Sequence, residues 1–103
     1  MNIDLQKGQK EFDEIDVRKF VSLDQLYYAL TIMGYDYELL YNGQEYFLSW
    51  GKEEKPDAFS LATNFQNENP LLFDTFDDLL DNFKVGEKKL REVILDFYIE
   101  DEC

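Results

Sequence analysis

The chain has 103 residues, 45% hydrophobic and 17% aromatic, enough to fill one core, so a single domain spanning 1–103 is expected. Twenty-three Asp and Glu against ten Lys and Arg give a formal charge of −13, beyond the magnitude of roughly 2–8 usual for a small soluble domain. Affinity for phosphates comes from cationic side chains, so direct nucleic-acid binding and an anionic membrane surface are both excluded as expectations.

The N-terminal stretch MNIDLQKGQKEFDE lacks the apolar centre of a signal peptide, and no apolar run approaches the roughly 20 residues of a membrane span. A reducing, cytoplasmic location is expected, and the lone Cys103 agrees with it, since one cysteine cannot form an internal disulfide. The first nineteen residues admit two readings. Ile15, Val17 and Lys19 alternate as in a strand, whereas Phe12 and Ile15 fit a helical turn.

The next element is a helix over 22–33. Ser22 is a suitable N-cap, and Gln25 three residues on completes a capping box. Leu23, Leu26, Tyr27, Leu30 and Met33 recur at helical spacing, and Gly34 is placed to end the helix. A hairpin over 35–50 follows, because Asn42-Gly43 supplies the two positive-φ residues of a type I′ turn. If Tyr41 faces Gln44, then Leu39 faces Tyr46, Tyr37 faces Leu48 and Tyr35 faces Trp50, which makes one face aromatic and aliphatic. The other face, with Asp36, Glu38, Leu40, Glu45, Phe47 and Ser49, is mixed and is expected to be wet.

Residues 52–57 read as a turn, and Phe59, Leu61 and Thr63 alternate with Ala58, Ser60 and Ala62 in a third strand near 58–63. Residues 66–70 read as a loop. Thr75 then caps a helix over 75–83, with Phe76, Leu79, Leu80 and Phe83 at i, i+3, i+4, i+7. Past Gly86, Leu90, Val93, Ile94 and Phe97 describe a last helix over 87–97, running into an extended Phe97-Tyr98-Ile99. The architecture predicted is α+β: one antiparallel sheet of three to four strands, with about three helices packed on its aromatic face.

The absence of histidine removes the commonest general base and the commonest nitrogen ligand for metals. Cys103 lies beside Glu100, Asp101 and Glu102, whose charge disfavours a thiolate. No segment carries the ligand spacing of a calcium loop, and the glycines of the chain's interior stand singly, which excludes a phosphate-cradling loop. No catalytic, metal-binding or cofactor-binding residue is therefore expected.

Acidity and aromaticity remain. In LLFDTFDDLLDNF (71–83), Asp74, Asp77, Asp78 and Asp81 could form a metal site, imitate a phosphate backbone, or line the wet side of a helix. The wet side is favoured for this stretch alone. Asp77 and Asp78 sit in the first turn, where the helix dipole stabilises anions, and Asp77 and Asp81 are too few to imitate the 6–10 phosphates of a DNA-binding groove. Glu87 with Arg91 and Lys88 with Glu92 are expected i,i+4 pairs on the last helix. Acting together, the helix acids, the hairpin acids Asp36, Glu38 and Glu45, and the tail Glu100, Asp101 and Glu102 could offer a basic partner an extended anionic surface. Phe47 is the aromatic candidate for its short-range part. On this reading, reversing Asp77 and Asp81 to lysine weakens the complex and leaves the fold intact.

The acidic chain, the YELLYNGQEY hairpin (37–46), the FDTFDDLLDNF helix and the closing GEKKL (86–90) together resemble small α+β proteins of Gram-positive phages and mobile elements, in particular type II-A anti-CRISPR proteins. The resemblance covers roughly residues 20–99. It implies a non-enzymatic inhibitor in the bacterial cytoplasm that binds Cas9 stoichiometrically and blocks guide RNA or target DNA loading or cleavage. It transfers no functional residue position by position. The other functional classes this composition suits are an immunity protein or antitoxin covering a basic toxin enzyme, and an acidic adaptor domain.

Overall fold

A computed structural model describes residues 2–14, 18–52, 55–63 and 71–102. The alternation at 15 and 17, the middle of the turn at 53–54, the loop at 66–70 and Cys103 lie outside the described residues.

Helix α1 (Leu5–Glu14) opens the chain. Asp4 caps it: its Oδ1 accepts from the Lys7 N–H at 3.1 Å and its carbonyl from the Gly8 N–H at 2.9 Å. Of the two readings of the first nineteen residues, the helical one holds at Phe12, and the helix reaches back to Leu5 although LQKGQKEFDE is polar and interrupted by a glycine. The reason is local packing. A Cβ on Gly8 would lie 2.3 Å from the Asp24 carbonyl oxygen, so glycine here serves close helix contact instead of breaking the helix.

Helix α2 (Leu23–Tyr27) continues into a π-helical turn (Tyr28–Ile32). Ser22 caps it as expected, accepting from the Gln25 N–H at 3.1 Å. The Gln25 amide reaches one residue further than a capping box: Oε1 accepts from the Val21 N–H at 2.8 Å, and Nε2 donates to the Glu11 carbonyl at 3.1 Å. Gln25 is fully buried and ties α1 to α2. Replacing it with leucine keeps the volume but removes two part-buried hydrogen bonds, to the Val21 N–H and the Glu11 carbonyl; an expected loss of about 1–3 kcal/mol would be read by denaturant unfolding. Gly34, with φ +71, ends the segment, although Met33 is largely exposed and contributes little to the core.

The sheet has five antiparallel strands in the order β4-β3-β2-β1-β7: β1 (Tyr37–Tyr41), β2 (Gln44–Lys52), β3 (Lys55–Ala62), β4 (Leu71–Phe73) and β7 (Tyr98–Glu102). The hairpin register is the expected one, with Tyr41↔Gln44, Leu39↔Tyr46 and Tyr37↔Leu48. Asn42 at φ 50 and Gly43 at φ 77 make the turn. Tyr35 is the exception. It precedes β1 and stacks on Phe12 of α1, centroids 5.8 Å apart, while Trp50 pairs with Phe59.

The sheet exceeds the predicted three to four strands by its two edges. β4 is only three residues long, below what an alternation pattern can reveal. β7 realises the expected extended stretch after Phe97 and joins the sheet beside β1. Between them, Thr75 Oγ1 accepts from the Asp78 N–H at 3.0 Å and caps α3 (Phe76–Asn82). The last helix is shorter than expected. Gly86, at φ 64, turns a small hairpin of β5 (Lys84–Val85) and β6 (Lys88–Lys89), so α4 (Leu90–Val93) starts only at Leu90, followed by a 3-10 turn (Ile94–Asp96). Glu87 and Lys88 precede the helix, which removes the predicted i,i+4 pairs. Glu92 Oε2 instead accepts from the Lys89 N–H at 2.8 Å.

The core lies between the helices and the inner face of the sheet. Leu39, Leu48 and Leu61 from the strands meet Leu26, Leu30, Leu79, Leu80, Leu90 and Ile94, all essentially without solvent contact. Each such side chain contributes about 1.5–3 kcal/mol on burial. The outer face divides in two. On β2 and β3 it is dry: Ser49 and Ser60, predicted wet in the case of Ser49, are buried and share a hydroxyl hydrogen bond of 2.6 Å, with Ala58 and Ala62 beside them. The charged half lies on β1, β7 and the start of β2, where Glu45 is exposed.

Candidate functional site

The candidate acids fall into two groups with different electrostatic surroundings. On α3, Asp77 and Asp81 are neighbours on one helix face, and Arg91 from α4 reaches across to both. Its Nη2 donates to Asp77 Oδ1 at 2.8 Å, its Nε to Asp81 Oδ1 at 2.8 Å and its Nη2 to Asp81 Oδ2 at 3.2 Å. One guanidinium thus spans two carboxylates and fastens α3 to α4. These hydrogen bonds, and then the charge of Arg91, hold the Asp81 carboxyl below its ordinary value. Asp78 accepts from Asn82 Nδ2 one turn on, and Asp74 is exposed ahead of the cap. The α3 group was expected to be a freely solvated face; two of its charges are instead committed within the molecule.

The second group is assembled by the pairing of β7 with β1. Glu38 faces Asp101 across the ladder, and Leu40 faces Tyr98 on one side and Glu45 on the other. Alternation along the strands puts Glu38, Leu40, Glu45, Tyr98 and Asp101 on the outer face, opposite the core residues Leu39 and Tyr46. A register shift between Glu38 and Leu39 inserts Glu100 into the same neighbourhood. Partial burial on the sheet, and then the charges of Asp101, Glu45 and Glu100, raise the Glu38 carboxyl above its ordinary value.

Three candidates stand apart. Glu102 faces the inner side, where its carboxylate bonds the buried Tyr37 phenol; burial first, then the Glu102 charge, push the Tyr37 hydroxyl strongly up. Asp36 precedes β1 and is half-buried. Phe47 is on the outer face between Glu38 and Ala62, half-buried. Among the described residues, the aromatic most open to solvent is Tyr98, 53% exposed, which sequence reasoning passed over. Its signal was the extended Phe97-Tyr98-Ile99 run, in which alternation turns Tyr98 away from the buried Phe97.

The two groups make stability depend on pH in opposite senses. A raised Glu38 binds its proton more tightly when folded, so its contribution is lost as pH rises through the folded value and is present below the unfolded one. A depressed Asp81 contributes above its unfolded value and loses that contribution as pH falls through the folded one. Thermal melts from about pH 7 to about pH 2 should therefore pass through a maximum in the mildly acidic range, on the alkaline side of the ordinary carboxylate value near about 4. A melting temperature that falls steadily from neutrality would contradict this assignment.

Among the described residues, no group of three or more Cys, Asp or Glu side chains is arranged to hold a metal ion, and no helix is long and apolar enough to cross a membrane. Comparison of the chain with protein-family models, curated proteins and solved structures finds no match.

Proposed function

We propose that this chain is a non-enzymatic inhibitor that covers the cationic nucleic-acid surface of an enzyme with the outer face of strands β1 and β7. A type II-A Cas9 is the first target to test. The carrying observation is the mutual crowding of Glu38, Glu45, Glu100 and Asp101 on one sheet face. Like charges held together weaken the free fold, and a cationic partner converts that cost into attraction. The α3 acids are a poorer contact, since Arg91 already engages Asp77 and Asp81.

The decisive assay is Cas9 cleavage with the purified chain at stoichiometric excess, added before and after guide RNA and before and after target DNA. Inhibition that disappears once guide or target is bound is the expected outcome. Cleavage unaffected in every order of addition removes Cas9 as the target. The same anionic face suits an immunity protein against a basic toxin enzyme, for which rescue of toxin-expressing cells is the corresponding readout. Salt supplies a check common to both. Added salt should raise the melting temperature of the free chain by screening its self-repulsion and weaken the complex.

A further inference from the structure

The outer β1–β7 face carries a half-exposed ring as well as carboxylates, and a cation already rests on it. Lys19 Nζ lies 4.6 Å from the centroid of the Tyr98 ring, which is 53% exposed. Tyr98, Leu40 and Glu45 form one row across β7, β1 and β2, and Asp101 and Glu38 form the next, about 7 Å along the strands. A planar cation lying on the ring would therefore share this sheet face with the carboxylates of Glu45, Glu38 and Asp101. The Lys19 ammonium meets the ring as a point charge. A guanidinium stacks on an aromatic face and, through its fork of N–H groups, also bonds a carboxylate in bidentate fashion.

We propose that Tyr98 and the adjoining Glu38 and Asp101 form a receiving site for an arginine side chain on a cationic segment of the partner, with Lys19 as its occupant in the free protein. The site deepens the reading above, from which it takes only that the partner is basic. Charge complementarity selects a cationic segment, and the stacked ring selects arginine over lysine within it. On the helix side of the molecule the two α3 acids already hold Arg91.

The test titrates the full chain with an arginine octapeptide and, separately, a lysine octapeptide at matched ionic strength, followed by amide and side-chain NMR shifts. The arginine peptide should bind more tightly, shift Glu38, Leu40, Tyr98 and Asp101 first, and release Lys19. Tyr98→Leu, which keeps an apolar side chain on the strand, should weaken arginine-peptide binding about two- to five-fold and erase the preference over lysine. Lys19→Met, which removes the competing cation and leaves the sheet untouched, should tighten it. Equal affinities for the two peptides with shifts spread over all acidic residues, or shifts centred on Asp77 and Asp81, would overturn the proposal. So would weaker binding in Lys19→Met. Because no enzyme takes part, a negative nuclease assay leaves this result standing, and a negative peptide titration leaves the nuclease assay standing.

Discussion

Phe97→Ala should destabilise the protein by about 3–5 kcal/mol, the cost of emptying a fully buried aromatic site. Phe97 has no solvent exposure, lies parallel to Tyr41 with centroids 4.6 Å apart and an interplanar angle of 9°, and meets Tyr46 at 5.0 Å. It also sits where α4 and its 3-10 turn hand over to β7, with its N–H on the Ile94 carbonyl at 3.2 Å. Removing the ring therefore leaves a cavity under the hairpin turn and loosens the strand that brings Glu100 and Asp101 beside Glu38. Small domains are stable by only roughly 5–15 kcal/mol, so the variant should melt far lower or fail to fold at 37 °C. Urea unfolding gives the difference. Glu87→Ala, in an exposed turn, serves as the control and should change stability by no more than about 0.5 kcal/mol.

Gly8→Ala should also be damaging, against ordinary helix propensity. In a solvated helix interior the substitution gains about 1 kcal/mol. Here the new Cβ would stand 2.3 Å from the Asp24 carbonyl oxygen, 2.8 Å from its carbon and 3.1 Å from Tyr28 Cβ. Two of these neighbours are backbone at the start of α2 and cannot rotate away. Either α1 moves off α2 or both distort, and overpacking of this kind costs typically about 1–3 kcal/mol. Separation of the helices would also strain the hydrogen bond of Asp4 N–H to Asp24 Oδ1 at 2.9 Å, that of Ser22 Oγ to Glu11 Oε1 at 2.7 Å and the Gln25 bridge. A net loss of about 1–2 kcal/mol in equilibrium unfolding is expected, with protection lost first from α1 amides in hydrogen exchange. A more stable Gly8→Ala protein would mean that α1 does not pack on α2 as described.

Local signals in the sequence were sufficient wherever one residue type settles the geometry. Asn42-Gly43 dictated the hairpin and its register, and Ser22 and Thr75 dictated where two helices begin. The α+β class followed from these. The rest depended on partners distant in sequence. Helix α1 shows few apolar residues because a glycine makes its closest approach to α2, with Phe12 as its main aromatic contact. The β5–β6 turn looked helical because Leu90 and Val93 are periodic, and periodicity does not mark where a helix starts. For the candidate site, the individual acids were legible and their grouping was not. Nothing in the local sequence announces that Arg91 would span Asp77 and Asp81, or that β7 would pair with β1 and join the tail acids to Glu38.

That grouping changes how charge variants must be read. Reversing both Asp77 and Asp81 to lysine would set two cations against Arg91, so weakened binding in that variant would reflect a damaged α3–α4 junction. It can no longer be treated as a fold-neutral probe. Glu38 and Glu45 allow a cleaner one, because neutralising them relieves repulsion that the free fold carries.

The most direct measurement compares the native chain with the Glu38→Gln/Glu45→Gln variant in two readouts, melting temperature and dissociation constant for guide-free Cas9. The melting temperature should rise while affinity falls by about ten-fold or more, since the same charges burden the free protein and attract the partner. Unchanged affinity, a lowered melting temperature, or no binding of the native chain to Cas9 would contradict the account.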